Sequence, residues 1–163
     1  MNILKKYLLS LFAIVLFSFN SNAADLYRKM GLGYQNTEIP ALSTRYHFQQ
    51  KLSLTVSTGF TTNQNHTKFL LEGKIQKVLF EERYLNVFVG TGIGIINERV
   101  KSGNLKNNGF KIHATMGAEF FLVNLPNLGF IFETGVSLQS KSGNIQVDTL
   151  AYVPFNAGVY FYF

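Results

Sequence analysis

Three acids, Glu72, Glu119 and Glu133, and three bases, Arg45, Lys74 and Lys111, occur inside apolar stretches of this chain, together with His47 and His113. Charges taken out of water must be paired, because a lone buried ion costs several kcal/mol. Such a set makes either a salt-bridge network that fills an interior or the lining of a narrow ion path; the filled interior is the expectation. Nucleophilic catalysis needs a hydroxyl, a histidine base and an orienting acid within reach. Ser137, His113 and Glu133 are the one combination available on adjacent segments, and no serine stands two positions from a histidine. No catalytic residue is assigned, and the chain reads as a non-enzyme. No His, Asp and Glu spacing converges as a metal site requires. There is no cysteine, so thiolate ligation and disulfides are excluded. Gly90, Gly92 and Gly94 alternate within one stretch, with no helix N-terminus behind them to hold a phosphate, and no cofactor is expected.

The elements that must position these charges are strands. Apolar and polar or small residues alternate with a period of two in segments near ten residues, separated by turn chemistry. Leu42, Thr44, Tyr46 and Phe48 share one face, with Ser43, Arg45, His47 and Gln49 on the other. A turn at Gln49 to Lys51 leads into Leu52, Leu54 and Val56 against Ser53, Thr55 and Ser57, which makes a hairpin. The same reading gives segments at about 26–35, 67–77, 84–96, 110–120, 130–139 and 151–163, eight in all. Arg45, Glu72, Lys74, Lys111, Glu119 and Glu133 all fall on the polar face, with Lys29 a further candidate. Gly90, Gly92 and Gly94 fall on that face too, and are expected to leave room or allow curvature.

The chain has 163 residues, 16 of them phenylalanine, 8 tyrosine and 14 glycine, with 3 prolines and no tryptophan, a mixture that favours strands. Met1 to Ala23 read as a secretory signal peptide: Lys5 and Lys6, an apolar run from Leu8 to Phe19, and Ser21-Asn22-Ala23 before a cut at Ala24. The run is short of the roughly 20 residues a spanning helix needs. Residues 24–163 then form one domain. Removing Lys5 and Lys6 takes the formal charge from +6 to +4, too mild to argue for nucleic acid.

The chain closes on Asn156-Ala157-Gly158-Val159-Tyr160-Phe161-Tyr162-Phe163. Asn156, Gly158, Phe161 and Phe163 in this arrangement resemble the C-terminal signal of bacterial outer-membrane β-barrels, and the whole mature chain resembles the small opacity/OmpA-transmembrane/OmpX-like type. The resemblance implies an eight-stranded antiparallel up-and-down transmembrane β-barrel in the bacterial outer membrane, recognised by the barrel-assembly machinery. It also implies envelope-integrity or surface-interaction roles without a cofactor, and lipid against the apolar face. With both termini in the periplasm, the outer connections are about 36–40, 61–66, 97–108 and 140–149, the third being longest, and the periplasmic turns are 49–51, 78–83 and 123–127. Tyr34, Tyr46, Phe48, Phe60, Tyr84, Phe110, Phe120 and Phe130, near strand ends, read as interfacial girdles. Arg99, Lys101 and Lys106 make the outer rim mildly basic, a candidate surface for lipopolysaccharide phosphates or a host ligand. The outer connections are short beside the long variable loops of opacity adhesins, which favours a structural role. The expectation is a non-enzymatic envelope barrel, with a narrow porin-like channel as the alternative and a lipid-modifying enzyme third.

Overall fold

Each alternating segment holds a strand in the computed structural model, which describes residues 26–101, 105–141, 144–149 and 155–163. The strands are β1 (Met30–Asn36), β2 (Pro40–Gln49), β3 (Leu52–Thr62), β4 (His66–Glu82), β5 (Leu85–Val100), β6 (Leu105–Leu122), β7 (Leu125–Lys141), β8 (Asn144–Thr149) and β9 (Asn156–Tyr162). All pairings are antiparallel; β1 to β7 pair in chain order, and β9 pairs with β7 on one edge and β1 on the other. The ring therefore closes with eight staves. β8 adds to β7 beyond β9: residues 128–133 of β7 face β9, and residues 136–141 face β8.

The registers fix the barrel's shape. From Gly158 the partners run in turn through Gln35, Ala41, Gly59, Leu70, Ile96, Gly109 and Lys141. Gly158 itself pairs with Ile131 of the same β7, so the circuit returns ten residues out of step, at 141 instead of 131. For eight strands that stagger sets a tilt of about 40° and a radius of about 8 Å. Each residue then climbs about 2.5 Å along the axis. The 17 residues of β4 and 18 of β6 reach about 40–45 Å, well beyond an apolar band of about 25 Å, whereas the 7 residues of β1 span about 18 Å.

This length corrects several expected boundaries. The connection expected at 97–108 is mostly ladder: β5 runs to Val100, β6 begins at Leu105, and Glu98 faces Asn107. The turn expected at 78–83 shrinks to Arg83-Tyr84, and that at 123–127 to Val123-Asn124, each with a register shift beside it. Part of the loop expected at 140–149 is β8, and the last stave begins at Asn156, residues 151–154 lying outside the described ones. The physical reason is common to all. The outward apolar face ends short of the strand ends, whereas backbone hydrogen bonding continues into polar sequence. The signal peptide expected at 1–23 also lies outside the described residues.

The two faces differ as the alternation requires. Outward, Leu32, Leu42, Val56, Phe60, Ile75, Ile93, Ile112, Met116, Val136 and Phe161 are exposed. So are Tyr34, Tyr46, Phe48 and Phe120, near the strand ends as expected for girdles; Phe110 is exposed but lies well inside β6, and Tyr84 packs on the inward apolar cluster at the terminal end instead. Inward, the middle of the barrel is polar and both ends are apolar. Leu26, Val78, Phe88, Phe121, Ile131, Tyr160 and Tyr162 fill the end that holds the termini. Ile39, Leu70 and Ile96 pack together at the other end.

Candidate functional site: the charged interior

Alternation on β2, β4, β6 and β7 turns Arg45, Glu72, Lys74, Lys111, Glu119 and Glu133 inward, where none exposes more than 3 % of its surface. They form a chain of alternating sign. Glu119 faces Arg45 at 3.4 Å, Arg45 faces Glu133 at 3.9 Å, and Glu133 accepts from Lys74 at 2.6 Å. Lys74 is 3.8 Å from Glu72, and Glu72 is 2.8 Å from Lys111. The last member, Glu38, comes from the β1–β2 turn and stands 3.3 Å from Lys111. The chain thus runs from the apolar plug at the terminal end to the turns at the other.

Four carboxylates face three bases here, so neutral donors complete the balance. Glu133 also accepts from Gln76 at 2.6 Å, Asn156 at 3.1 Å and Gln35 at 3.3 Å. Glu119 accepts from the Tyr162 hydroxyl. Gln139 donates to Glu38 at 2.5 Å. Arg45 Nε donates to Thr55 Oγ1 at 3.0 Å, and its guanidinium lies 5.4 Å from the Phe88 ring and 5.0 Å from the Tyr160 ring, while Nη2 faces Glu133 without a hydrogen bond. Tyr160 in turn donates to Ser43 at 2.6 Å. Charge-assisted bonds of this density make a packed polar core in place of an apolar one.

The β1–β2 turn closes this core from the side opposite the termini. Ile39 packs on Leu70 and Ile96, while Glu38 reaches Lys111 and Gln139. Sequence reasoning missed Glu38. It sits in a connection, where no alternation assigns a side chain to either face.

The alternative chemistries do not assemble. Ser137 faces His113 across the β6–β7 register, but its hydroxyl donates to the Asp148 carbonyl at 3.4 Å. The acid beside His113 is Glu72, at 3.7 Å, and Glu133 is taken up by the contacts above. His47 packs edge-on against Tyr162 at 5.6 Å. His66, the first residue of β4, stands against Asn63 of the β3–β4 turn at 2.9 Å. No group of three metal-ligating side chains converges among the described residues. Lys29, half-buried before β1, takes no part in the chain of ion pairs among the described residues.

The rim residues have mixed positions. Lys101 donates to Asn63 O at 2.7 Å and to Thr62 Oγ1 at 3.4 Å, and its amide donates to Asn65 O at 2.8 Å, so it ties the β5–β6 hairpin to the β3–β4 turn. Arg99 is exposed near the end of β5, opposite Lys106 in the backbone register; the Lys106 side chain lies outside the described ones. At the seam, Asn156 is buried on Glu133, and Phe161 and Phe163 are exposed on the outward face. Gly158 faces Gln35, whose Cγ would stand 2.6 Å from a Cβ placed there.

No protein-family model matches the chain, and no curated protein matches it in sequence. Solved structures do match. Neisserial surface protein A aligns over 83 % of this chain and 94 % of its own, with 11 % identity and a TM-score of 0.58. The N-terminal β-barrel domain of Pseudomonas aeruginosa OprF aligns over 83 % and 96 %, with 13 % identity and a TM-score of 0.52. The closed ring of eight antiparallel staves is therefore the fold of the small bacterial outer-membrane β-barrels.

Proposed function

We propose that this chain is a non-enzymatic barrel of the bacterial outer membrane that supports the envelope, with its lumen occluded by its own side chains and its outer end available for surface contact. The observation that carries this reading is the alternating chain Glu119–Arg45–Glu133–Lys74–Glu72–Lys111–Glu38, sealed by apolar clusters at both ends. An eight-stranded barrel has an interior just wide enough for side chains to fill, and these do so with paired charges. In this reading the termini face the periplasm, and outer-membrane lipid covers the outward face. Asn156, Gly158, Phe161 and Phe163 serve as the signal for the barrel-assembly machinery.

The experiment is planar-bilayer recording of refolded protein selected by its heat-dependent gel shift. Silent bilayers are expected, and Glu72→Gln and Glu119→Gln should lower stability without opening a conductance. Reproducible current steps whose ion selectivity changes in those variants would replace the occluded lumen with the porin-like alternative.

Surface contact is assigned to Arg99, Lys101 and Lys106, with lipopolysaccharide or a host ligand as partner. Replacing all three with serine should weaken lipopolysaccharide binding, and unchanged binding would remove that role. Because Lys101 also braces two turns, Arg99→Ser alone separates loss of charge from loss of turn geometry.

A further inference from the structure

Lys77 stands on the wrong face for its charge. Away from strand ends, it is the one charged side chain among the described residues on the outward surface of the barrel. The in–out alternation runs unbroken through this part of β4, but the residue types on it swap: Lys77 points outward, and Val78 points inward to the apolar cluster with Leu26 and Phe88. Its registered neighbours are Leu52 on β3 and Val89 on β5, both apolar. The ammonium meets no hydrogen-bond or ion-pair partner among the described residues. The β2–β3 turn lies alongside, since the Val78 amide donates to Lys51 O at 2.8 Å, and Lys51 is itself exposed. A lysine stem on an apolar surface carries its charge towards the nearest interface, here the one at the end that holds the termini.

Four residues away on the same face is Gly73, about 13 Å along the strand. A Cβ there would meet nothing within 4 Å. A groove of about 320 Å³ opens at this point, walled by Val56, Leu71, Ile93, Ile95 and Phe110. A cation near the interface and an apolar groove aligned with it towards the membrane interior match one amphiphile with an anionic head.

We propose that this stripe of β4 seats one anionic phospholipid of the leaflet at the terminal end, with its phosphate on Lys77 and an acyl chain along the Gly73 groove. Lys51 adds a second positive charge at the headgroup. The lipid A phosphates belong to the leaflet at the opposite end in the orientation adopted above, so a phospholipid is the assigned occupant. This inference rests on the membrane reading of the barrel, and the two fail separately: absence of the gel shift strikes the barrel, whereas loss of lipid selectivity strikes only the site.

The test is native mass spectrometry of the refolded protein in detergent with added phosphatidylglycerol, phosphatidylcholine or purified lipid A. One phosphatidylglycerol should be retained about fivefold more strongly than phosphatidylcholine, and Lys77→Gln should remove that preference. Gly73→Leu, which fills the groove, should weaken retention of both phospholipids, and Lys77→Arg should preserve the wild-type pattern. Equal retention of the two phospholipids by the wild type, or an unchanged preference in Lys77→Gln, would overturn the proposal. Preferential retention of lipid A would overturn the assignment to the terminal-end leaflet. If Lys77→Gln lacks the gel shift, Gly73→Leu decides: undiminished retention in that variant overturns the proposal as well.

Discussion

Glu133 is the crossing point of the interior, accepting from Lys74, Gln76, Asn156 and Gln35 and facing Arg45. Removing it leaves two buried cations short of a partner, whereas Glu38 at the turn end is more open, with 12 % of its side chain exposed. Glu133→Leu should therefore cost about 3–5 kcal/mol, and Glu38→Gln about 1 kcal/mol, measured by urea unfolding in phospholipid vesicles. Equal losses would mean that the chain is not anchored at its centre. Position in a period-two pattern made Arg45, Glu72, Lys74, Lys111, Glu119 and Glu133 legible as inward residues, because a strand leaves a side chain only two faces to choose from. Which acid meets which base was not legible, since that depends on stagger between strands and on lysine stems that reach across the lumen. Glu38 was hidden for the same reason that it matters: it enters from a turn.

At the scale of elements, the β5 glycines test what small residues do in the wall. A Cβ at Gly92 would stand 2.5 Å from His113 Nε2 and 2.6 Å from Gly73 O, while one at Gly94 would approach Leu71 O at 3.3 Å. Gly92→Ala should cost about 1–3 kcal/mol as overpacking, and Gly94→Ala should stay within about 1 kcal/mol, by the same unfolding assay. The reverse order would sink the packing account. β8 and β9 offer a second contrast. β9 is paired on both edges, whereas β8, in line beyond it on the same edge of β7, is paired with β7 alone among the described residues. Val147→Pro should leave the heat-dependent gel shift intact and Val159→Pro should abolish it, because proline is tolerated on an added edge and not within a closed ladder. Strand existence and facing were legible in the sequence from Leu42-Thr44-Tyr46-Phe48 onwards. Strand ends were not: Asn97, Glu98 and Arg99 carry no apolar rhythm, yet they continue β5.

For the whole molecule, the ten-residue stagger is a global quantity that no single segment reveals. It predicts a strand tilt of about 40° from the barrel axis, measurable by polarised infrared dichroism of the protein in oriented bilayers. A tilt near 30° would contradict the registers that carry Gly158 round to Lys141. The staves are also unequal, and their inequality sets the order in which the barrel would come apart. β4 and β5 are laced from His66 opposite Val100 to Glu82 opposite Leu85. The first and last staves are laced only from Gly31 opposite Tyr162 to Asn36 opposite Ala157, with Met30 and Phe163 exchanging the final pair of bonds. A zipper parts where it has fewest teeth, and β9 is laced as briefly to β7, from Leu128 opposite Phe161 to Glu133 opposite Asn156, so it is around β9 that the wall would open first under force or heat. The strand freed by that opening is the one bearing Asn156, Gly158, Phe161 and Phe163, the residues proposed above as the assembly signal, so on that proposal dismantling would lay the signal bare again.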